Sequence, residues 1–299
     1  MITMWRLPPA LERPEPGIAG RYGYNCGMTD LMRHIAACRN AELPGRRMPL
    51  YLGTAQVGWV LPDIAAGLAG LGATVGSAGV TIAAAEIYGM ARQLSGQGRF
   101  RFRNEAFDVR AVPDGPVLAQ LDRGALPALG VQAEGVHLNG LVQRPDGPWL
   151  WVARRAAHKL LDPGKLDHLV GGGVPAGLSP WQTLVKEADE EAAIPGPLIA
   201  EAMPVTIISY AMNRPEGLRR DRLHCYDLML PESFVPHPRD GEVEAFELWP
   251  LPAVLDQARR TDTFKFNVNL VLIDLFLRAG LLDTAEGQRL RAALDAPSG

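Results

Sequence analysis

The chain has 299 residues, 47% hydrophobic and 21% charged, with a formal net charge of −3. These fractions predict a soluble globular protein of about two domains and exclude general disorder and fibrous repeats. The slightly acidic balance offers no global positive field for nucleic acid or anionic lipid. Three cysteines, Cys26, Cys38 and Cys225, make neither a disulfide framework nor a zinc cluster, so a reducing, cytoplasmic location is expected.

Residues 1–27 are rich in Pro, Arg and Gly and lack a signal-peptide pattern, which predicts a flexible arm or a reading frame extended ahead of a true start at Met28. Over 28–126 the pattern is mixed and predicts a smaller α+β domain: a helix at 31–38, strands at 48–52 and 57–61, and a turn at Gly53. Residues 64–85 carry no charge and are long enough to cross a bilayer. They are, however, largely Gly, Ala, Ser and Thr, so a buried helix, glycine turns and a second helix over 82–95 are expected instead of a membrane span. Residues 100–112 alternate like an edge hairpin, Pro113, Asp114 and Gly115 punctuate, and 119–129 reads as helix or linker. A second domain is expected over 127–299. It begins with a hairpin of strands 136–143 and 150–155 around a turn at 145–147. Gly171, Gly172, Gly173 and Gly177 then open a helix from Pro180 to about Ala193. Strands at 205–210, 223–230 and 243–248 and helices at 252–260 and 267–279 complete a mixed-sheet α/β sandwich.

The glycine loop and its helix carry the chemical signal. Ser179, Pro180 and Gln182 form a capping box with proline at the first helical position. Trp181, Leu184, Val185, Ala188 and Ala192 recur at helical spacing and predict the buried stripe. Glu187, Glu190 and Glu191 stand at i, i+3 and i+4, bringing three carboxylates together on an adjacent face. Like charges at that spacing repel by about a few tenths of a kcal/mol, and acids in the last turns oppose the helix dipole. A divalent cation with a taste for hard oxygen ligands, Mg²⁺ or Mn²⁺, offsets both effects.

Residues 172–194 resemble the Nudix box, with matches at Gly172, Glu187, Ala188, Glu190, Glu191 and Ile194. Leu178, Lys186 and Ala193 depart from it, the first two as a coupled change: without a carboxylate at 178, an arginine at 186 has nothing to grip. The segments 163–167 and 240–246, with Gly58-Trp59-Val60 and Arg103-Asn104-Glu105 further upstream, are similar to one Nudix subgroup. There an N-terminal domain of unknown function precedes the Nudix fold, and the pair is fused in fungi to thiamine pyrophosphokinase. Some members of the subgroup hydrolyse damaged thiamine diphosphate analogues.

The resemblance implies a Nudix α/β/α sandwich behind a smaller α+β domain, and a Mg²⁺-dependent pyrophosphohydrolase of a small-molecule diphosphate. Thiamine diphosphate or its damaged analogues are the implied substrates. A nucleotide-type diphosphate, and a degenerate Nudix module that binds a ligand without turnover, stay open as alternatives. Glu187, Glu190 and Glu191 are the implied metal ligands, Glu187 and Glu242 the catalytic carboxylates, and Arg155, Lys165 and Gly172 the substrate contacts. Trp59, Tyr210 and Tyr226 are candidates to stack on a heteroaromatic ring, and the histidines are expected to be structural. The N-terminal domain could serve as a lid or as a homodimer interface. No nucleic-acid or membrane partner is expected.

Overall fold

The computed structural model describes residues 30–297, so the expected arm at 1–27 lies outside the described residues. Helix α1 (Met32–Cys38) leads into strands β1 (Met48–Leu52) and β2 (Ala55–Val60), helix α2 (Pro62–Ala69), strands β3 (Thr74–Gly76) and β4 (Gly79–Ile82), and helix α3 (Ile87–Gly96). Strands β5 (Ala106–Val109) and β6 (Ala119–Asp122) and a short helix α4 (Leu126–Leu129) follow. The second half comprises β7 (Gln132–Arg144), β8 (Gly147–Arg155), β9 (Leu166–Asp167), β10 (Val170–Gly173), α5 (Pro180–Ala192), α6 (Gly196–Ile199), β11 (Met203–Arg214), β12 (Gly217–Met229), β13 (Val243–Pro250), α7 (Leu251–Arg260), α8 (Val268–Arg278) and α9 (Thr284–Asp295).

The fold class is α/β with mixed sheets. The larger sheet runs β11-β12-β7-β8-β13, with β10 on β7 and β9 on β8; β12 and β7 are parallel and the other pairs antiparallel. Strand alternation sorts its side chains between two layers. Leu141, Leu150, Val152, Ile208, Tyr210 and Leu223 pack under α7, α8 and α9. Val136, Leu138, Val142, Trp151 and Leu228 pack against Leu184, Ala188 and Ala192 of α5. A helix layer on each face makes the sandwich the pattern implied.

A separate core serves the N-terminal region. The sheet β2-β1-β4-β3, α2, α3 and the β5–β6 pair enclose Leu50, Val60, Leu68, Val80, Leu94 and Leu121. The glycine-rich stretch differs from expectation here: the residues after α2 form the β3–β4 hairpin, and the next helix begins at Ile87. Helix α1 belongs to the other core, since Leu31, Ile35 and Cys38 pack with α8 and α9.

Candidate active site

Helix α5 starts as its sequence requires. The Ser179 hydroxyl accepts from the Gln182 amide N–H (3.2 Å), and the Gln182 side chain accepts from the Ser179 amide (2.9 Å), closing both halves of the capping box. The buried stripe is rotated from the expected one. Trp181 and Val185 are exposed, Trp181 leaning on Tyr226 with ring centroids 6.0 Å apart, and Glu191 takes a place beside Leu184, Ala188 and Ala192. Residues 184, 188, 191 and 192 share one helical face, so a carboxylate occupies a core position.

The three glutamates therefore have different surroundings. Glu190 is half-buried and pairs at 2.5 Å with Lys186, which also reaches Glu187 at 3.3 Å. Glu187 lies over β10: a Cβ on Gly172 would sit 2.7 Å from its Cδ, so glycine at 172 keeps the strand bare where this carboxylate crosses. Glu191 is buried, and its Oε2 accepts the Gly171 N–H at 2.8 Å. Carboxylate oxygens of Glu191, Asp240 and Glu242 all lie within 4.8 Å of one another. Asp240 escaped the sequence reading, although its signal is local: Asp240-Gly241-Glu242 is a turn with Gly241 at φ 76°, and Asp240 Oδ1 accepts the Glu242 N–H at 2.8 Å.

Burial holds the Glu191 carboxyl well above the usual carboxylate range; the Gly171 N–H opposes this, and the charges of Glu187, Asp167 and Glu242 add to it. Burial likewise raises Glu187, against the pull of Lys186. Glu242 is desolvated too, yet its hydrogen bond and ion pair with Lys159 bring it below its ordinary value. An all-oxygen cluster whose members are partly desolvated and mutually repelling fits a hard divalent cation.

Glu187, Asp240 and Glu242 line a cavity of about 670 Å³, with Glu191 buried behind them. Lys159, Arg103, Arg123 and Arg219 line the same cavity. Sequence reasoning missed these arginines as site residues, although Arg103-Asn104-Glu105 stood out as a mark of the N-terminal region. Of the expected substrate contacts, Gly172 lines the cavity. Arg155 does so as well, but its guanidinium is engaged: Asp167 accepts at 2.7 Å, and the carbonyls of Leu161 and Asp162 at 2.9 and 3.1 Å. Lys165 is not among the lining residues and faces Asp162 at 3.9 Å. Trp59, Tyr210 and Tyr226 also lie outside the lining, whereas Phe100 and Phe107 belong to it.

Asp167, Lys265, His137 and His168 form a buried group behind β10. Burial raises the Asp167 carboxyl, but Lys265 and Arg155 outweigh it and hold the group well below the usual range. The two imidazoles share an Nδ1–Nδ1 hydrogen bond of 3.0 Å, and burial brings His168 down to about 4. Both rings are neutral near pH 7. With Arg155 and Lys265 already on Asp167, a cation among His137, Asp167 and His168 would be repelled.

Residues 135–268 match the family profile of the NUDIX domain. Nudix hydrolase 20, chloroplastic, from Arabidopsis thaliana is 43% identical over 180 residues, 60% of this chain and 48% of that protein. Nudix hydrolase 24, chloroplastic, from the same plant is 42% identical over 60% of this chain and 49% of its own. The chain thus spans about half the length of the relatives it matches. Among solved structures, the chain is similar to DR0079 from Deinococcus radiodurans, at 21% identity and a TM-score of 0.44 over 56% of this chain and 97% of that one. It is also similar to the NUDIX domain of Shewanella oneidensis NrtR complexed with ADP ribose, at 17% identity and a TM-score of 0.39 over 52% of this chain and 90% of that one. The cytoplasmic expectation is corrected by these findings, because both Arabidopsis relatives are chloroplastic proteins by name. No described helix is long and apolar enough to cross a membrane. The carboxylates, the glycine strand and α5 all fall inside the segment 135–268 that matches the NUDIX domain.

Proposed function

We propose that the chain is a Mg²⁺-dependent hydrolase that cleaves the diphosphate bond of a small molecule, with Mn²⁺ as an alternative ion. The observation that carries this is the meeting of Glu191, Asp240 and Glu242 beside a cavity that Glu187, Asp240, Glu242 and several arginines line. Glu191, Asp240 and Glu242 would hold the ion, with Glu187 beside them. When bound, it neutralises phosphate charge and makes a water molecule more acidic. Glu187, whose carboxyl is raised toward neutrality by burial, accepts the proton of the attacking water. Water oxygen bonds to one phosphorus, the bridging P–O bond breaks, and the monophosphate ester and inorganic phosphate leave. Glu242, kept ionised by Lys159, contributes fixed negative charge to the ion site, while Lys159 faces the departing phosphate.

The substrate we favour is thiamine diphosphate or a damaged analogue, on the subgroup motifs at 163–167 and 240–246. A cavity of about 670 Å³ is within the usual range for such ligands, roughly 300–1,000 Å³. Lys186 supplies the observation favouring the competing binding-module reading, because it neutralises Glu190 and touches Glu187. The same proposal keeps a boundary at 126/127 between the N-terminal region and the Nudix domain, and assigns α1 to the latter by its packing.

The test is phosphate release from thiamine diphosphate, its oxo analogue and a set of nucleotide diphosphates, with Mg²⁺ and with chelator. Turnover of a thiamine-type diphosphate is expected with Mg²⁺ only, and Glu191→Gln should lower it at least about 100-fold while leaving the fold intact. Undiminished activity in that variant sinks the metal assignment; no turnover on the whole panel sinks the hydrolase reading.

A further inference from the structure

The N-terminal region contributes a construction that the carboxylate chemistry does not use. Strand β6 ends at Asp122, a fully buried residue whose carboxylate meets main-chain donors: Oδ1 accepts the N–H groups of Arg103 and Gly124, each at 2.8 Å, and Oδ2 that of Glu105 at 3.2 Å. The Arg123 N–H donates to the Glu105 carbonyl at 2.7 Å. Gly124 permits the approach, since a Cβ there would fall 2.0 Å from the Arg101 carbonyl oxygen. Asn104 takes a left-handed conformation, φ 60°, at the corner. A buried carboxylate that fixes three amides is a rigid mount, and it presents Arg103 and Arg123 to the same cavity.

The two guanidinium groups differ in their partners. Arg123 is aimed by Glu105 at 2.9 Å and lies 5.8 Å from the Phe107 ring centroid. For the Arg103 guanidinium no hydrogen bond or ion pair is formed among the described residues, while Arg101, Arg123 and Arg219 share its cavity wall. Arg103 is exposed to solvent, and partial desolvation together with the charges of Arg123, Arg219 and Arg101 makes its protonated form less favourable. Charges of one sign gathered on a fixed loop repel unless an anion sits among them. Arg123 also exerts its charge on Glu242, so an anion held here borders the carboxylates.

We propose that Arg103 and Arg123 form a clamp for a phosphoryl group of the substrate beside the carboxylates, while Arg219 of β12, whose Nε already donates to Asp221 at 2.7 Å, adds positive charge to the same wall. The ligand class is a diphosphate: one phosphoryl group at the carboxylates, the other in the arginine forks, whose planar donors match phosphate oxygens two at a time. Arg103 and Arg123 lie outside the matched segment 135–268, so the Nudix domain alone is an incomplete site. The clamp rests on the diphosphate reading of the cavity, but its test does not require turnover.

The probe is methylenediphosphonate, a diphosphate that cannot be hydrolysed, titrated calorimetrically into the full chain with Mg²⁺. Arg103→Ala and Arg123→Ala should each weaken binding at least about 10-fold, as expected for a lost charge-assisted hydrogen bond. Arg103→Lys should recover part of the loss, and Arg92→Ala, at an exposed residue of α3 outside the cavity, should bind as wild type does. Wild-type affinity should fall steeply with salt and that of Arg103→Ala less so. Thermal midpoints identify any variant that has lost its fold, and Arg103→Lys then carries the comparison. Equal affinity of Arg103→Ala and wild type, or no binding by wild type, overturns the clamp. If wild type binds the probe through Arg103 yet hydrolyses nothing, the clamp stands and the hydrolase reading fails. If turnover proceeds with the KM of Arg103→Ala unchanged, the reverse holds.

Discussion

A carboxylate in a core position favours its protonated form unless a cation stands beside it. Glu191 is in that situation, with the Gly171 N–H as its hydrogen-bond donor and Glu187 and Glu242 as neighbours of like charge. Its folded-state value is raised, so the native state binds a proton more tightly than the unfolded chain does. The stability linked to Glu191 is therefore complete below the unfolded carboxyl value of about 4.5 and lost as pH rises through the folded value. Glu191→Gln removes the charge and keeps an acceptor for Gly171. In chelator the variant should match wild type near pH 4 and exceed it by about 1–2 kcal/mol near pH 8, a few degrees in Tm. Added Mg²⁺ should reverse the order, because wild type alone gains the ligand's stabilisation. Denaturant melts at the two pH values check this, and a wild type more stable than the variant in chelator at pH 8 would contradict it.

At the scale of elements, what the sequence disclosed was what local interactions determine. The capping box of α5 involves three neighbouring residues and is present as read. The orientation of α5 was not legible, because it depends on where β10 lies, and that turned Glu191 inward and left Trp181 outside. The strands β11 and β12 are longer than their apolar alternation suggested. Arg219, Arg220, Asp221 and Arg222 continue β12 as paired residues, and their polar side chains are satisfied by tertiary partners: Asp221 by Tyr210 and Arg219, Arg222 by Asp114 and Glu134. A strand with polar side chains facing a cavity carries no hydrophobic period to detect. The C-terminus of α5 offers a direct measurement. Ala193, the position where the Nudix box has glycine, sits at φ 54°, and the next amide, Ile194, bonds back to the Ala188 carbonyl at 3.0 Å. A left-handed alanine costs about 1 kcal/mol, so Ala193→Gly should stabilise the chain by about 0.5–1 kcal/mol without altering the site. Chemical denaturation with an unchanged slope is the check; a destabilised variant would show that the alanine methyl contributes packing instead.

Across the whole molecule, the N-terminal core is held at both ends. Before it, α1 is fastened to the Nudix side: Arg33 donates to the carbonyls of Ala258, Arg259 and Thr261, and Arg39 to those of Ser209 and Leu294. After it, residues 126–131 pass between β2 and the β11–β12 turn at distances only glycine allows. A Cβ on Gly58 would lie 2.3 Å from the Leu129 carbonyl oxygen, one on Gly130 2.4 Å from that of Trp59, and one on Gly217 2.2 Å from that of Pro127. Gly58-Trp59-Val60 thus marks a backbone crossing, which explains why a motif without functional side chains stood out. Two tethers and this close seam argue against a lid swinging on one hinge, and they place the arginine loop at a fixed distance from the carboxylates. The chain should melt in one calorimetric transition. Gly217→Ala puts a methyl group into the Pro127 carbonyl at φ 135°, where neither partner is a flexible side chain, and should cost about 3 kcal/mol or more. Its signature should be a lowered or divided transition together with weakened methylenediphosphonate binding, since parting the seam moves Arg103 and Arg123 away from Glu242. A variant that melts as wild type and binds as tightly would show that the seam yields without cost, and that the two cores are coupled elsewhere.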